Sequence, residues 1–168
     1  MTPSPDDFAD LLERNRDYGQ DFALGGFDGI AQQGVAIVTC MDSRIEPLEM
    51  VGLRLGDAKI LRTAGGRVTP DALIGCILGV HLLNVNRIMI VPHTRCAMSK
   101  MSENEFRDKI TELSGMDAWW QHFHVVPDQH AALVEDVHRV TSHPLIGARA
   151  KVGGFLYDVD TGLLEHLV

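Results

Sequence analysis

Five residues in this sequence carry side chains that together can bind a metal ion and use it. Three fall in "VAIVTCMDSRIEP", residues 35–47: Cys40, then Asp42, then Arg44. The other two, His93 and Cys96, fall in "PHTRC" with the spacing H-x-x-C. Two thiolates and an imidazole form a donor set that suits Zn²⁺, and a structural zinc site ordinarily adds a fourth cysteine or histidine. No fourth one is offered nearby, so the remaining position falls to water or to Asp42. Taken singly the signals are weak. A lone H-x-x-C occurs often by chance, and a lone cysteine at a strand end is usually a small buried hydrophobe.

The sequence around these residues supplies elements that would bring them together. "VAIVTC" (35–40), "AKILRT" (58–63) and "RIMIV" (87–91) read as short strands, and "EPLEMVGLRL" and "PDALIGCILGVHLLN" between them as helices. Strand–helix–strand alternation with runs apolar on both faces predicts an α/β fold, a mostly parallel central sheet flanked by helices. Ligands in such sheets gather at the carboxyl ends of the strands. Cys40 ends the first run, and His93 and Cys96 follow the third. All three reach one rim if those two strands are neighbours.

Residues 5–18 read as an N-terminal helical arm with Ser4 as a candidate cap, and 19–34 as an irregular, glycine-rich stretch. "SENEFRDKITELSG" reads as a helix opened by a capping box of Ser102 and Glu105, and a further helix spans about 129–141. "FHVVP" (123–127) reads as a short strand between them. "KVGGFLYDVDTGLLEHLV" reads as an antiparallel C-terminal edge hairpin turning at "DTG". No linker divides the 168 residues. The expectation is a single domain: an arm over 1–34, a metal-site core over 35–100, and helices and edge strands over 101–168.

Charge narrows the function classes. The formal net charge is −8 and no basic run stands out, which argues against a nucleic-acid partner. "MTPSPDDFADLLERN" has neither a basic n-region nor an apolar h-region, and "ALIGCILGVHLL" is too short to span a bilayer. Three cysteines do not suggest a disulfide framework. These features set the expectation of a cytoplasmic protein with no membrane partner.

"CMDSR", "RTAGG" and "HTRC", in that order and spacing, resemble the β-class carbonic anhydrases, and the chain's length and layout resemble their compact bacterial members. "VGGFLYDVDTGLL" carries the resemblance more weakly to the C-terminus. The resemblance implies that Cys40, His93 and Cys96 are zinc ligands and that Asp42 and Arg44 form a catalytic dyad beside them. It implies reversible hydration of CO2 to bicarbonate and a proton through a zinc-bound hydroxide. It also implies a homodimer or higher homo-oligomer, with the N-terminal helix lying over the partner subunit. The chemistry is coherent. Zinc lowers the pKa of bound water from about 15.7 toward about 7, and two thiolates cancel the ion's charge and weaken that effect. Asp42 would then orient the water, held by Arg44 through a two-point fork that lysine cannot match. If Arg44 let go, Asp42 could become the fourth ligand in a closed state.

Three positions depart from the family pattern: Thr63 for the usual asparagine, Arg95 where small bacterial members often carry aspartate, and Ala97 where glycine is frequent. Arg95 could favour an anion or take Asp42 from Arg44, and Ala97 adds a methyl group where backbone could pack tightly. None removes a ligand, but they leave the substrate open. Related proteins hydrolyse CS2 or carbonyl sulfide at the same kind of site, which is the second expectation. A non-catalytic zinc protein is the third, and the presence of Asp42 and Arg44 argues against it. Cys76 reads as helix core and His81 as a satisfied residue at that helix's edge. His122 and His124 could face one way, without thiols near them. His130, His138, His143 and His166 read as solvated. "AGG" (64–66) reads as a tight loop near the site, and Trp119 with Trp120 as a packing or interface patch.

Overall fold

The computed structural model describes residues 5–168, so the candidate cap Ser4 lies outside the described residues. Five strands form one sheet: β1 (Val35–Cys40), β2 (Ala58–Thr63), β3 (Arg87–Val91), β4 (Lys151–Tyr157) and β5 (Leu164–His166). Their order is β2-β1-β3-β4-β5. The first three pairings are parallel, and β5 closes the edge antiparallel to β4. The sheet is therefore the mostly parallel one that the sequence predicts, with its hairpin turning over Asp158–Leu163, where the Asp158 N–H donates to the Leu163 carbonyl.

Alternation along β1 builds two cores. Ala36 and Val38 face one way with Ile88 and Ile90 of β3. Helices α2 (Pro70–Leu82) and α4 (Gln129–Thr141) cover that face with Ala72, Cys76, Leu133, Val137 and Val140. Val35, Ile37 and Val91 face the other way, against Met50, Leu53, Ile60, Phe155 and Tyr157. Every residue of β1 is buried, which is why the run shows no polar alternation. Thr39 satisfies its buried hydroxyl by donating to the Val91 carbonyl at 2.7 Å.

The helix ends follow their local chemistry. Thr69 caps α2, accepting from the Ala72 N–H, and Pro70 stands in the first turn, where a missing N–H costs nothing. Helix α3 (Glu103–Ser114) carries the capping box of Ser102 and Glu105. The N-terminal segment forms a 3-10 turn over Pro5–Phe8 and then α1 (Ala9–Gln20), which runs through Gly19 and buries none of its residues. Among the described residues no helix is long and apolar enough to cross a membrane.

Two elements differ from expectation. "EPLEMVGLRL" forms only a 3-10 turn at Glu49–Val51. Gly52 ends it in the left-handed region at φ 69°, donating its N–H to the Glu49 carbonyl, and so turns the chain before a second helical turn can form. "FHVVP" is not a strand. The Glu103 carboxylate accepts the N–H groups of Phe123 and Val125, and the Met98 carbonyl accepts that of Val126. Those donors are consumed before any ladder can use them.

Candidate metal centre

The register places the donors. Thr39 pairs with Val91 across β1 and β3, so Cys40 leaves β1 at the level where the chain leaves β3 toward His93. Beyond β3, His93 forms a parallel bridge with Tyr157 of β4. The loop then turns back through Arg95, whose φ is 56°, and this brings Cys96 beneath Cys40.

Cys40, His93 and Cys96 are all buried, and their ligand-capable atoms lie within 4.8 Å of one another. The two Sγ atoms are 4.0 Å apart. Tetrahedral zinc with Zn–S bonds of about 2.3 Å sets two sulfurs about 3.8 Å apart, so the pair is already at ligand spacing. His93 supplies a second indication. Its Nδ1 lies 2.9 Å from the Thr94 carbonyl, an acceptor that fixes the N–H on Nδ1 and leaves a lone pair on Nε2. That Nε2 is buried with no hydrogen-bond partner, a costly arrangement for a polar atom unless a metal takes the lone pair. The donors present thus fit Zn²⁺ on composition, spacing and an orphaned nitrogen. Among the described residues no other group of three or more such side chains converges in this way.

The thiols share a proton unequally. The Cys96 thiol donating to Cys40 pulls the Cys40 pKa down against its burial, and the backbone N–H groups of Asp42 and Gly65 add to the effect. The same contact, with burial, pushes Cys96 up. A thiol held low in this way favours the thiolate that a metal ion needs.

Asp42 stands at the edge of this cluster, with Oδ2 3.7 Å from His93 Nε2. Arg44 holds it: Nε donates to Oδ1 at 2.8 Å and Nη2 to Oδ2 at 2.7 Å, and the Arg44 backbone N–H adds a third bond at 3.0 Å. The fork keeps the Asp42 carboxyl well below the usual carboxylate range. Arg44 is itself anchored by donating to the Arg95 carbonyl at 3.3 Å.

The departures from the family pattern resolve individually. Arg95 does not take Asp42; its guanidinium pairs with Asp160 in the β4–β5 turn, which compensates its charge. Ala97 is exposed, so its methyl group meets solvent and not packed backbone. The Thr63 hydroxyl donates to the Arg67 carbonyl and closes the "AGG" turn. That turn is a tight loop against the site, as its sequence suggests. Gly66 has φ 70°, and a Cβ there would lie 3.3 Å from Cys40 N, Pro92 Cα and the Val91 oxygen.

Cys76 is core, its thiol pushed up to about 11 by burial. His81 lies 2.8 Å from the Leu145 carbonyl. The His122 and His124 rings sit 4.2 Å apart, and His122 Nδ1 accepts the His124 N–H. His130, His138 and His166 are exposed and His143 is half-buried. Trp119 and Trp120 are exposed, with the Arg107 guanidinium 5.7 Å from the Trp119 ring centroid. Sequence reasoning missed Arg62 and Gln129. Arg62 donates to the carbonyls of Cys40 and Asp42 at 3.0 and 2.6 Å, and it was visible only as the first letter of "RTAGG". No sequence signal marks Gln129, whose amide reaches the His93 carbonyl.

Comparison with known proteins places this geometry. The family model described as carbonic anhydrase matches residues 35–145. The chain is 30% identical to beta-carbonic anhydrase 1 of Mycobacterium tuberculosis over 162 residues, covering 94% of this chain and 96% of the relative. It is 27% identical to a carbon disulfide hydrolase of Saccharolobus solfataricus, over 87% of this chain and 83% of the relative. Among solved structures, a carbonic anhydrase from Streptococcus mutans superposes with a TM-score of 0.87 at 33% identity, covering 100% of both chains. With two thirds of its length inside the family model and its thiol–imidazole cluster at zinc-ligand spacing, the chain belongs to the carbonic anhydrase family, in its β class.

Proposed function

We propose that this chain catalyses the reversible hydration of CO2 to bicarbonate and a proton, with Cys40, His93 and Cys96 holding zinc and Asp42 and Arg44 as the catalytic dyad. The observation that carries this reading is the unpartnered Nε2 of buried His93 among two thiols, 3.7 Å from a carboxylate gripped by an arginine fork. Zinc bound there supplies a water that ionises near neutral pH. Asp42 stays ionised because Arg44 hydrogen-bonds its charged form, so Oδ2 can accept an O–H and orient the nucleophile's lone pair toward the substrate carbon. Arg62 ties the backbone of the same turn to β2 by donating to the carbonyls of Cys40 and Asp42. In this arrangement both Asp42 oxygens are engaged by Arg44, and the closed state in which Asp42 serves as fourth ligand would require that fork to open.

The carbon disulfide hydrolase relatives favour a second reading, hydrolysis of CS2 or carbonyl sulfide at the same residues. These are also linear molecules with an electrophilic carbon. We read the 168 residues as one domain that works as a homodimer or larger homo-oligomer. Support comes from α1, which buries nothing in its own chain while Phe8, Leu11, Leu12 and Tyr18 stay exposed around it. Three free thiols fit a reducing compartment, and we place the protein in the cytoplasm.

Metal analysis followed by stopped-flow CO2 hydration tests the proposal. One zinc per chain and hydration lost in Asp42→Ala are expected. Sulfide release from CS2 with negligible CO2 hydration would replace the first reading by the second. Hydration no faster than the uncatalysed rate with wild type and Asp42→Ala alike would leave a non-catalytic zinc protein.

A further inference from the structure

One face of α4 meets the metal centre. Gln129, Ala132 and Asp136 fall at i, i+3 and i+7, on one side of the helix. Asp128 pins the first turn by accepting the Ala131 N–H at 2.9 Å. Ala132 is buried in the cluster that holds Cys40 and Cys96. Asp136, also buried, accepts from Arg67 Nε at 2.6 Å and from the Val68 N–H at 3.1 Å, just beyond the Ala64–Gly66 turn, whose Gly66 packs against the Cys40 backbone. At the near end of this face, Gln129 Nε2 donates to the His93 carbonyl at 2.9 Å.

That last bond completes the restraint of a single peptide unit. At its other end, the Thr94 N–H donates to the Tyr157 carbonyl at 2.9 Å. The unit is planar, so holding it from α4 on one side and β4 on the other fixes its plane. The next carbonyl, that of Thr94, accepts the His93 Nδ1–H. The imidazole springs from the Cα at one end of that unit and bonds the carbonyl that follows its other end, so a shift of the unit moves both anchors of the ring. His93 is wholly buried with Gln129 in place, so the amide and not solvent satisfies its carbonyl.

We propose that Gln129 is a positioning residue for the metal centre, acting on His93 through the main chain. The inference rests on the reading of Cys40, His93 and Cys96 as zinc ligands. Loss of a partner that orients a ligating histidine typically costs about 10- to 100-fold in metal affinity. Gln129 acts one bond further away than a partner of the ring itself, so the lower end, about tenfold, is expected.

Gln129→Met keeps the length of the side chain and suits a helix, but removes the donor. The zinc dissociation constant is measured by competition with a chromophoric chelator, and the visible absorption of the cobalt-substituted protein is recorded beside it. Zinc binding about tenfold weaker than wild type, with displaced cobalt bands, is the expected result. Gln121→Met loses a similar bond to the His122 carbonyl and should leave both readings unchanged. Wild-type zinc affinity and cobalt bands in Gln129→Met overturn the proposal, even if its metal-free form melts at a lower temperature, because Gln129 would then serve packing alone. Should that variant fail to fold, Gln129→Glu, which keeps the outline and replaces a donor with an acceptor, is read by the same criteria. A wild type that takes up no zinc would instead remove the ligand assignment beneath the proposal, a result distinct from equal affinities.

Discussion

Arg44 closes a two-point fork on Asp42, with both carboxylate oxygens engaged at 2.8 and 2.7 Å, and rests its own Nη2 on the Arg95 carbonyl. One side chain thus ties the turn after β1 to the loop after β3. A lysine could reach one oxygen but could not bind both and the carbonyl in one plane.

Arg44→Lys should therefore retain zinc and lose turnover. About 10- to 100-fold lower kcat/KM is expected, the range found when a partner orienting a metal-site group is lost. Stopped-flow hydration together with metal content checks it; unchanged kcat/KM would show that charge alone, without the fork, is enough.

The same fork sets a pH dependence. Arg44 holds the Asp42 carboxyl below its ordinary range, chiefly by hydrogen-bonding the ionised form. A carboxylate depressed by folding stabilises the native state above its unfolded pKa, about 3.9, and that contribution is lost only as pH falls through the lower folded value. The difference in Tm between wild type and Asp42→Asn should stay level from about pH 5 to 8 and shrink below about pH 4. Thermal scans with chelator present keep metal release out of the comparison. A difference that widens on acidification contradicts the assignment.

Gly66 offers a test of the backbone beneath the site. Alanine there meets a positive φ, about 1–2 kcal/mol by itself, and a Cβ 3.3 Å from three backbone atoms of β1 and of the β3 end. Gly66→Ala should destabilise by about 2–3 kcal/mol and weaken zinc binding, since Cys40 and Pro92 must part. Gly162→Ala has a similar φ, but its nearest neighbour is 4.0 Å away. It should show only the conformational cost, about 1–2 kcal/mol, with zinc affinity intact. Equal losses at the two positions would mean that the close approach at Gly66 is not rigid.

What the sequence determined by itself was whatever lies within a few bonds or a few turns of its cause. The unbroken apolar run of β1 marked it because a strand buried on both faces leaves no polar period. Ser102 and Glu105 announced the start of α3 because a capping box is closed within four residues. Two cysteines and a histidine suggested zinc because that donor set suits the ion, and the order of "CMDSR", "RTAGG" and "HTRC" carried the family. Tertiary structure decided the rest. The order β2-β1-β3 turned two distant stretches into one cluster. Glu103 and the Met98 carbonyl took the donors that would have made "FHVVP" a strand. Asp160 claimed Arg95 and left Asp42 to Arg44. Gln129 reached the His93 carbonyl from 36 residues away. A long polar side chain has several partners open to it, and which one it takes depends on distances that exist only after the sheet has formed and the helices have packed against it.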